Sequence, residues 1–387
     1  MENAVRNIVK ELKEETVTHK GTDLEDISHE EKELLLKTGI DLAAHKSCGL
    51  FFQKDHSVIH CQSLFEGAEI MDIDEARARY GLEDYWWKAV SPEKDVYTKR
   101  AAEHQEHGYF IRSFEGAEVI YPLQACLYLS EDRLAQDVHN IVIAEEGSEL
   151  HIITGCATGP HVRSGLHVGV SEFYVKRGAK LTFTMIHNWA EEMTVRPRTA
   201  IIVEEGGIFE SNYICLLPAK DLQMYPSATL AGKNAVATFN SVLLARSGSF
   251  MDVGSRVILK EEGCRAEVIS RTVSTGGTII ARGHLVGEAS GIKAHLECKG
   301  LLLSSTGRIH AIPELEGRTN DLDMSHEAAV GKIAKEEIEY LMARGLSEEE
   351  ATSLIIKGFL SLDIKGLPEE LKKEVDKLLL EIDKEAM

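Results

Sequence analysis

The stretch Ile141-Val142-Ile143-Ala144-Glu145-Glu146-Gly147 decides the fold, because similar stretches return three times further along the chain. Each copy is an apolar run, a short polar turn and a glycine, and the later copies occupy residues 173–178, 201–206 and 257–263. The repeated glycines lie 31, 28 and 57 positions apart. The last gap is about two periods, and residues 231–234 mark the turn between them.

A repeat near 28 residues of strand, polar turn and strand is typical of a solenoid. Each coil of a solenoid buries its apolar strand faces against its neighbours, and the glycine supplies the positive φ of the corner. The loose strand lengths predict a mainly β fold with a right-handed parallel β-helix core at residues 108–312. An ordinary β-sandwich is the alternative for this region.

Helical regions are predicted on both sides of the core. Residues 1–107 are polar, with a capping box of Ser28 and Glu31 and a helix at 74–80 that ends at Gly81. Within this region, residues 104–107 carry possible metal ligands, although a solvated charged segment is the simpler interpretation. From residue 313 to 387 the pattern again predicts helices. The last of them follows Pro368 and presents Leu371, Val375, Leu378 and Ile382.

The formal net charge of −20, with 63 acidic and 43 basic residues, argues against nucleic acid and anionic membranes as partners. No apolar run is long enough to span a membrane and no export signal opens the chain. The seven cysteines include no C-x-x-C pair, so reduced thiols in the cytoplasm are expected rather than a structural zinc site.

The chain lacks the sequence signatures of a P-loop, of a dinucleotide-binding fold and of a hydrolase nucleophile elbow. In contrast, Cys298, His326 and Glu327 fall within 30 positions, where the strand pattern gives way to helices. A soft thiolate with harder imidazole and carboxylate ligands suggests a metallic cargo that can be released. A protein that handles metal without its own energy source suggests one part of a larger machine.

The segment 307–359 resembles the SufB/SufD family, the scaffold subunits of the SUF iron–sulfur cluster assembly system. The resemblance is carried by Ile312-Pro313-Glu314-Leu315, Ser325-His326-Glu327-Ala328, Arg344-Gly345-Leu346-Ser347 and Gly358-Phe359. It extends over roughly residues 108–360. The compact form is most similar to archaeal and minimal-system proteins, in which one gene serves for both scaffold subunits.

The resemblance implies a right-handed β-helix, and an ABC-type ATPase partner (SufC) held by the C-terminal helices. It implies that the chain is not itself an enzyme, that two scaffold chains meet through their β-helices as a homodimer with two ATPase subunits, and that a sulfur donor and recipient apoproteins are further partners. The family's cluster-building residues fall on Cys298, Glu327 and His326. Residues implied in ATPase binding are Tyr340, Arg344, Gly345, Leu346, Leu354 and Phe359.

Three departures from the SufB pattern stand out. Ser325 occupies a position where the SufB branch has glutamate, and no cysteine cluster is present near the N-terminus. The sulfur-accepting cysteine expected at residues 200–205 is also missing, and Cys215 is the nearest thiol. The route by which sulfur would arrive is therefore open.

Mixed ligation suits a transient iron–sulfur cluster, because carboxylate and imidazole exchange more readily than thiolate. A nearby cation such as Lys299 could favour the thiolate form of Cys298. Two alternatives remain at this point. One is a SufD-like subunit that regulates the ATPase without holding a cluster, and the other is a carbohydrate-acting β-helix enzyme.

Overall fold

The structure, a computed structural model, describes residues 12–13, 16–42 and 47–360. Its strands form a β-solenoid of about eight turns, with a few helices in the N- and C-terminal regions. The mainly β, solenoid prediction is therefore confirmed, while the right hand of the coil stays a prediction.

The strands, in chain order, are β1 (Gly49–Lys54), β2 (Ser57–Ser63), β3 (Ala68–Asp72), β4 (Tyr109–Ser113), β5 (Leu123–Leu129), β6 (Leu134–Ala144), β7 (Glu149–Thr158), β8 (Ser164–Val175), β9 (Lys180–Asn188), β10 (Glu192–Val195), β11 (Arg198–Val203), β12 (Ile208–Leu217), β13 (Asp221–Met224), β14 (Ser227–Leu230), β15 (Val236–Ala245), β16 (Phe250–Leu259), β17 (Arg265–Ser274), β18 (Thr278–Gly287), β19 (Ile292–Leu302), β20 (Arg308–Gly317) and β21 (Leu322–Gly331). The helices are a 3-10 turn (Leu24–Asp26), α1 (His29–Leu36), α2 (Ile73–Tyr80), α3 (Val96–His104), α4 (Lys335–Met342) and α5 (Glu348–Leu360).

Two sheets face each other across the core. The first sheet has the order β2-β1-β5-β7-β9-β12-β15-β17-β19-β21, and the second contains the remaining strands, ending with β16, β18 and β20. The long strands pair in parallel with the equivalent strand of the next coil. Aromatic rings stack along the core between the sheets, where Phe173, Phe209 and Phe239 have successive centroid separations of 5.9 and 5.6 Å.

The repeated glycines form one corner of the solenoid. Gly147, Gly178, Gly206 and Gly263 have φ values between 64° and 73°, as the repeat predicted. At the intermediate corner, Asn234 takes the same conformation with φ 58°. The backbone N–H of each corner residue donates to a carbonyl of the next coil, for example from Gly206 to Lys233 at 2.8 Å. These bonds fix the stacking of the coils.

The N-terminal region is partly helical, as predicted. The capping box of Ser28 and Glu31 opens α1, and α2 ends at Gly81 with φ 81°. However, the expectation of a mostly helical region is wrong for residues 49–72, which form β1, β2 and β3. Strand β1 pairs in parallel with β5 and is almost fully buried, so the solenoid begins before the predicted boundary at residue 107.

The prediction of helices directly from residue 313 is also wrong. Strand β20 runs through Pro313 to Gly317, and β21 follows before α4 begins. Proline is tolerated there because β20 pairs with β18 on one side only, at the edge of the second sheet. The helix predicted after Pro368 lies outside the described residues. Strands thus cross both predicted boundaries, and the division of the chain into three domains stays a prediction.

Helix α5 lies against the outer face of the first sheet. Its buried Ile356 and Leu360 pack with Val242, Leu244 and Val273. Helix α1 covers the opposite end of the same face through Leu35. Among the residues described, no helix combines the length and apolar character needed to cross a membrane.

Candidate functional site

Cys298 lies on β19, one coil before the end of the solenoid. Burial alternates along this strand, and Leu296, Cys298 and Gly300 face the interior. The thiol is only 2% exposed. Burial, helped by the negative charge of Glu297, raises the pKa of Cys298 to about 11. The side chain is therefore a protonated thiol at neutral pH.

His326 and Glu327 lie on the neighbouring strand β21, on opposite faces of the sheet. The register pairs Leu296 with His326, Glu297 with Glu327 and Cys298 with Ala328. Because successive side chains in a strand alternate between faces, His326 shares the inner face with Cys298. Glu327 lies on the outer face. The structure thus brings two of the three predicted ligands to one face and separates the third.

Glu327 belongs to a group of paired charges on the outer face of the first sheet. Lys299 Nζ lies 3.1 Å from Glu327 Oε1 and 3.0 Å from Glu297 Oε2, and Arg271 pairs with the same Glu297. Burial acts to raise the pKa of Glu297, but its bonds to Lys299 and Arg271 outweigh this and lower it. Glu327 is 57% exposed at its side chain, so it can leave this contact at small cost.

The hypothesis that Lys299 draws out the Cys298 thiolate is wrong. Lys299 points to the outer face, and its bonds to Glu297 and Glu327 raise its own pKa. Among the described residues, no positively charged group counteracts the effect of burial on the thiol, so the pKa of Cys298 is raised. A metal ion at the thiol would have to displace this proton.

The last coil is only partly packed. The inner face of β20 contributes half-buried Ile309 and Ala311, while the side chains of β21 after Met324 are exposed. Strand β21 pairs with β19 alone among the described strands. Cys298 therefore lies next to a strand that has a neighbour on one side only.

Three interior side chains that the sequence interpretation did not bring together form a column. Cys156, His187 and Cys215 are register partners on β7, β9 and β12. Each lies nine positions after a corner glycine, and this shared offset is the sequence signal that could have revealed the column. Burial raises the pKa of Cys215 to about 12. Strand β11, which covers the stretch where a sulfur-accepting cysteine was expected, carries none.

The possible metal ligands of residues 104–107 do not come together. His107 Nδ1 bonds to Asp72 Oδ2 at 2.8 Å, whereas Glu106 accepts a hydrogen bond from Thr16 at 3.0 Å. The bond to Asp72, opposed by burial, raises the pKa of His107. These contacts fasten the start of β4 to neighbouring segments, which agrees with a structural role.

Comparison with known proteins identifies the family. A family model described as "SUF system FeS cluster assembly, SufBD core domain" matches residues 127–359. The chain belongs to the SufBD family. An iron–sulfur cluster assembly SufBD family protein of Methanothermobacter thermautotrophicus is 50% identical over 380 residues, which cover 96% of this chain and 93% of the relative.

Two further relatives show the breadth of the SufBD family. A SufBD family protein of Archaeoglobus fulgidus is 54% identical over 346 residues, covering 89% of this chain and 93% of that protein. The iron–sulfur cluster assembly protein SufB of Bacillus subtilis is 28% identical over 368 residues, covering 92% and 78%. The predicted resemblance is confirmed, and the high archaeal identities agree with the compact form expected from the sequence.

The helices of this SufBD chain present the residues predicted to bind an ATPase. Tyr340 is 58% and Leu354 is 51% exposed. The Arg344 guanidinium lies 5.1 Å from the centre of the Tyr340 ring and donates to its hydroxyl at 2.9 Å. Gly345 turns the chain with φ 100° between the two helices. The helix pair therefore offers an exposed apolar and aromatic surface.

The remaining predicted contact residues are less accessible. Leu346 is half-buried at the turn between α4 and α5. Phe359 is half-buried against the cluster that anchors α5 to the first sheet. Phe359 thus packs α5 against the first sheet, whereas Tyr340 and Leu354 are exposed. Their role in ATPase binding stays a prediction.

Proposed function

We propose that this SufBD chain is a scaffold on which an iron–sulfur cluster is built and from which it is passed on. The observation that carries the proposal is the placement of Cys298 on the inner face of the penultimate coil, with His326 on the same face of the last strand. A thiolate and an imidazole are both iron–sulfur cluster ligands. The cluster is cargo in this role, and the chain itself is not an enzyme.

A homodimer would complete the ligand set. One chain supplies one thiol and one imidazole, and a two-fold pair of chains supplies two of each. The edges of β20 and β21 at the end of the solenoid offer unpaired backbone groups for a second copy. Glu327 can join such a site only if β21 changes its register or leaves β19, because its side chain lies on the other face.

An ABC-type, SufC-like ATPase is the proposed source of energy. Only residues 332–334 separate β21 from α4, so a force on the helix pair would act on the strand next to that of Cys298. Movement of β21 would expose the thiol, and loss of its proton would follow metal binding. ATP must favour the open arrangement over the closed one, since equal binding to both shifts nothing.

The other partners follow from the same role. A scaffold needs a sulfur donor and recipient apoproteins, and the cytoplasmic location expected from the sequence suits both. Two scaffold and two ATPase subunits form the proposed assembly. Nothing in this assembly requires nucleic acid or a membrane.

The second candidate function is a SufD-like subunit that regulates the ATPase without holding a cluster. The contact between Glu327 and Lys299 favours it, because a carboxylate engaged on the outer face is not directed at Cys298. The buried, protonated state of the thiol also agrees with it. Cluster content distinguishes the two functions.

The test is anaerobic reconstitution of the purified protein, with and without a co-expressed ATPase, using ferrous iron and sulfide. Absorption and Mössbauer spectra report the cluster. We expect Cys298→Ala to lose most of it and His326→Ala to weaken it. Cys264→Ala, which removes a buried thiol beside the corner residue Gly263, should retain it. A Cys298→Ala protein with a full cluster would contradict the scaffold site.

Glu327→Gln tests whether β21 changes its register during assembly, so that Glu327 turns toward Cys298, or keeps Glu327 on the outer face. If β21 rearranges during assembly, this variant binds less iron than the parent. If the outer-face ion pair persists, it binds as much. Reconstitution without any cluster in the parent, with ATPase stimulation intact, would favour the SufD-like function.

A further inference from the structure

The outer side of the second sheet gathers several arginines, although the chain as a whole is strongly acidic. Three of these arginines are each paired with an aspartate, as Arg196–Asp221, Arg198–Asp95 and Arg282–Asp252. Each of these charges is therefore neutralised by a neighbouring carboxylate of the same chain. A fourth arginine on this side, Arg256, is not.

Arg256 lies on the outer face of β16 without a partner for its charge. Burial alternates along this strand, so that Asp252, Gly254 and Arg256 face outward. Among the residues that the structure describes, the Arg256 side chain has neither an ion pair nor a hydrogen-bond partner, and its Nε is buried. A guanidinium is always charged and can only donate. Because a buried donor without a partner is costly, this side chain favours an acceptor from outside the described chain.

Lys94 brings a second cation to the same place. It precedes Asp95, whose carboxylate is already engaged by Arg198. Partial burial of its ammonium group, and then the charges of Arg198 and Arg256, lower the pKa of Lys94 against the opposing charge of Asp95. Within the described part of the chain, Lys94 forms no ion pair of its own. An anion between Lys94 and Arg256 would offset the repulsion between these two cations.

Hydroxyl groups lie beside Arg256. The strand register pairs it with the half-buried Ser227 on β14 and with His284 on β18. Burial raises the pKa of Tyr225, whose hydroxyl lies within range of the charges of Glu314 and Arg256. Glu314 is the nearest acidic residue in this row, but it is exposed, lies two strands away and forms no ion pair with Arg256. The surroundings of Arg256 thus supply donors and leave its positive charge unbalanced.

We propose that Lys94, Arg256 and the Ser227 hydroxyl bind a phosphate group, either as inorganic phosphate or as the ester of a small metabolite or nucleotide. Two cations match a dianion, and a phosphate group is close to doubly charged at neutral pH, whereas a carboxylate carries one charge. Arginine and lysine are both established phosphate-binding side chains. In a chain with a net charge of −20, such binding does not follow from general attraction of anions. The proposal does not depend on the iron–sulfur role.

The test is calorimetric titration of the full chain at constant ionic strength with inorganic phosphate, glycerol 3-phosphate and adenosine monophosphate. Acetate is the singly charged control. We expect saturable binding of the phosphate compounds and at least tenfold weaker binding of acetate. A tighter fit for one ester would identify the source of the phosphate group, and equal affinities would show that this group alone is recognised. Equal binding of acetate, or no saturable binding of any phosphate compound, would show the proposal to be wrong.

Arg256→Gln and Lys94→Gln each remove one of the two cations and keep an amide of similar length. We expect either change to weaken phosphate binding about tenfold, or roughly 1.4 kcal/mol, because charge-assisted hydrogen bonds are lost. Lys293→Gln is the matched control, since it removes an exposed positive charge from the first sheet and should leave the affinity unchanged.

Urea denaturation of the three variants checks that they are folded. Removal of the exposed Lys94 ammonium should leave the free energy of unfolding nearly as it is in the parent, so its effect on binding is separable from an effect on folding. If Lys293→Gln weakens phosphate binding as much as Arg256→Gln and Lys94→Gln do, the anion responds to net charge alone and no site exists at Arg256.

Discussion

Cys298 retains its proton because the interior of the solenoid solvates a thiolate poorly, and Glu297 adds to the effect. At pH 8 a thiol with a pKa of about 11 carries roughly 100-fold less thiolate than one near 9. We expect alkylation of Cys298 by iodoacetamide to be slowed by at least this factor in the folded protein. Peptide mapping by mass spectrometry at a series of pH values measures it.

The same shift carries a stability consequence with a definite sign. The folded state keeps a proton that the unfolded thiol releases near pH 9. The free energy of unfolding therefore contains a contribution from this thiol that is complete below pH 9 and is lost as pH rises toward 11.

The control for the alkylation experiment is the protein unfolded in urea, in which the alkylation rate of Cys298 should rise with a midpoint near pH 9. A folded-state profile centred near 9 would show that the thiol is already open to solvent.

Glu172 is a second residue whose environment fixes its role. It is fully buried and accepts the backbone N–H groups of Trp87, Ala89 and Val90 at 2.6–3.0 Å, with His139 Nε2 at 2.8 Å. Glu172→Gln replaces an acceptor oxygen by a donor amide among these groups. We expect the free energy of unfolding to fall by about 3–5 kcal/mol in urea denaturation.

The matched control for Glu172→Gln is Glu204→Gln, which removes a surface partner of Lys176 at 3.0 Å. A surface pair contributes about 0–1 kcal/mol, so this variant should denature almost as the parent does. Equal losses in the two variants would mean that the segment around Trp87 is not held by the buried carboxylate.

At the scale of elements, the corner of each coil depends on one residue with positive φ. Asn234 occupies this position with φ 58° where other coils have glycine. We expect Asn234→Gly to change the free energy of unfolding by less than about 0.5 kcal/mol, and Asn234→Ala to lower it by about 1 kcal/mol, because alanine is strained in this conformation. Thermal and urea denaturation of both variants measure the difference.

Comparable losses in the two Asn234 variants would show that the amide side chain, rather than the backbone conformation, stabilises the corner.

The repeat itself was predictable from the sequence, since every coil needs an apolar strand and a corner. The double gap between Gly206 and Gly263 was correctly interpreted as two periods. Asparagine at the intermediate corner agrees with its tolerance of the left-handed region.

The faces of the last strands were not predictable from the sequence. Glu297 pairs with Glu327 across a coil of 30 residues, whereas the coil before it on the same sheet has 28. A coil one residue shorter would place Glu327 opposite Cys298 and turn it inward, because one step reverses the face. The composition of the motif therefore identified the candidate residues, but only the register shows which of them converge.

Strands outside the predicted core were missed for a different reason. Residues 49–72 contain short, irregular strands between polar turns and lack the Glu-Glu-Gly corner that marked the repeat. Pro313 was taken as the start of helices, whereas it lies in an edge strand that needs fewer backbone donors. Both misses occur where the solenoid ends and the pattern of a complete coil no longer applies.

At the scale of the whole molecule, the first sheet joins the candidate cluster site to the candidate ATPase surface. The strand β21, next to that of Cys298, leads into α4, and α5 rests on the same sheet through Ile356. Leu354 is 51% exposed on the outward side of α5. Leu354 is therefore the exposed residue of α5 at which we test the proposed contact with the ATPase.

Leu354→Ala is expected to weaken binding of a SufC-like ATPase about fivefold or more, since truncation of a buried anchor residue costs about 1 kcal/mol or more. Co-purification and calorimetry measure the loss. Ile120→Ala is the matched control, because Ile120 is an apolar residue that is 79% exposed in the N-terminal half.

The comparison between the two variants decides where the partner binds. Both remove exposed methyl groups, so neither should reduce the free energy of unfolding appreciably, and a change in ATPase affinity then reports the surface alone. If Leu354→Ala weakens ATPase binding and Ile120→Ala does not, the ATPase binds to the helix pair beside β21. Equal affinities would instead require the partner to act from another face, and the short connection between β21 and α4 would then have no part in opening the thiol.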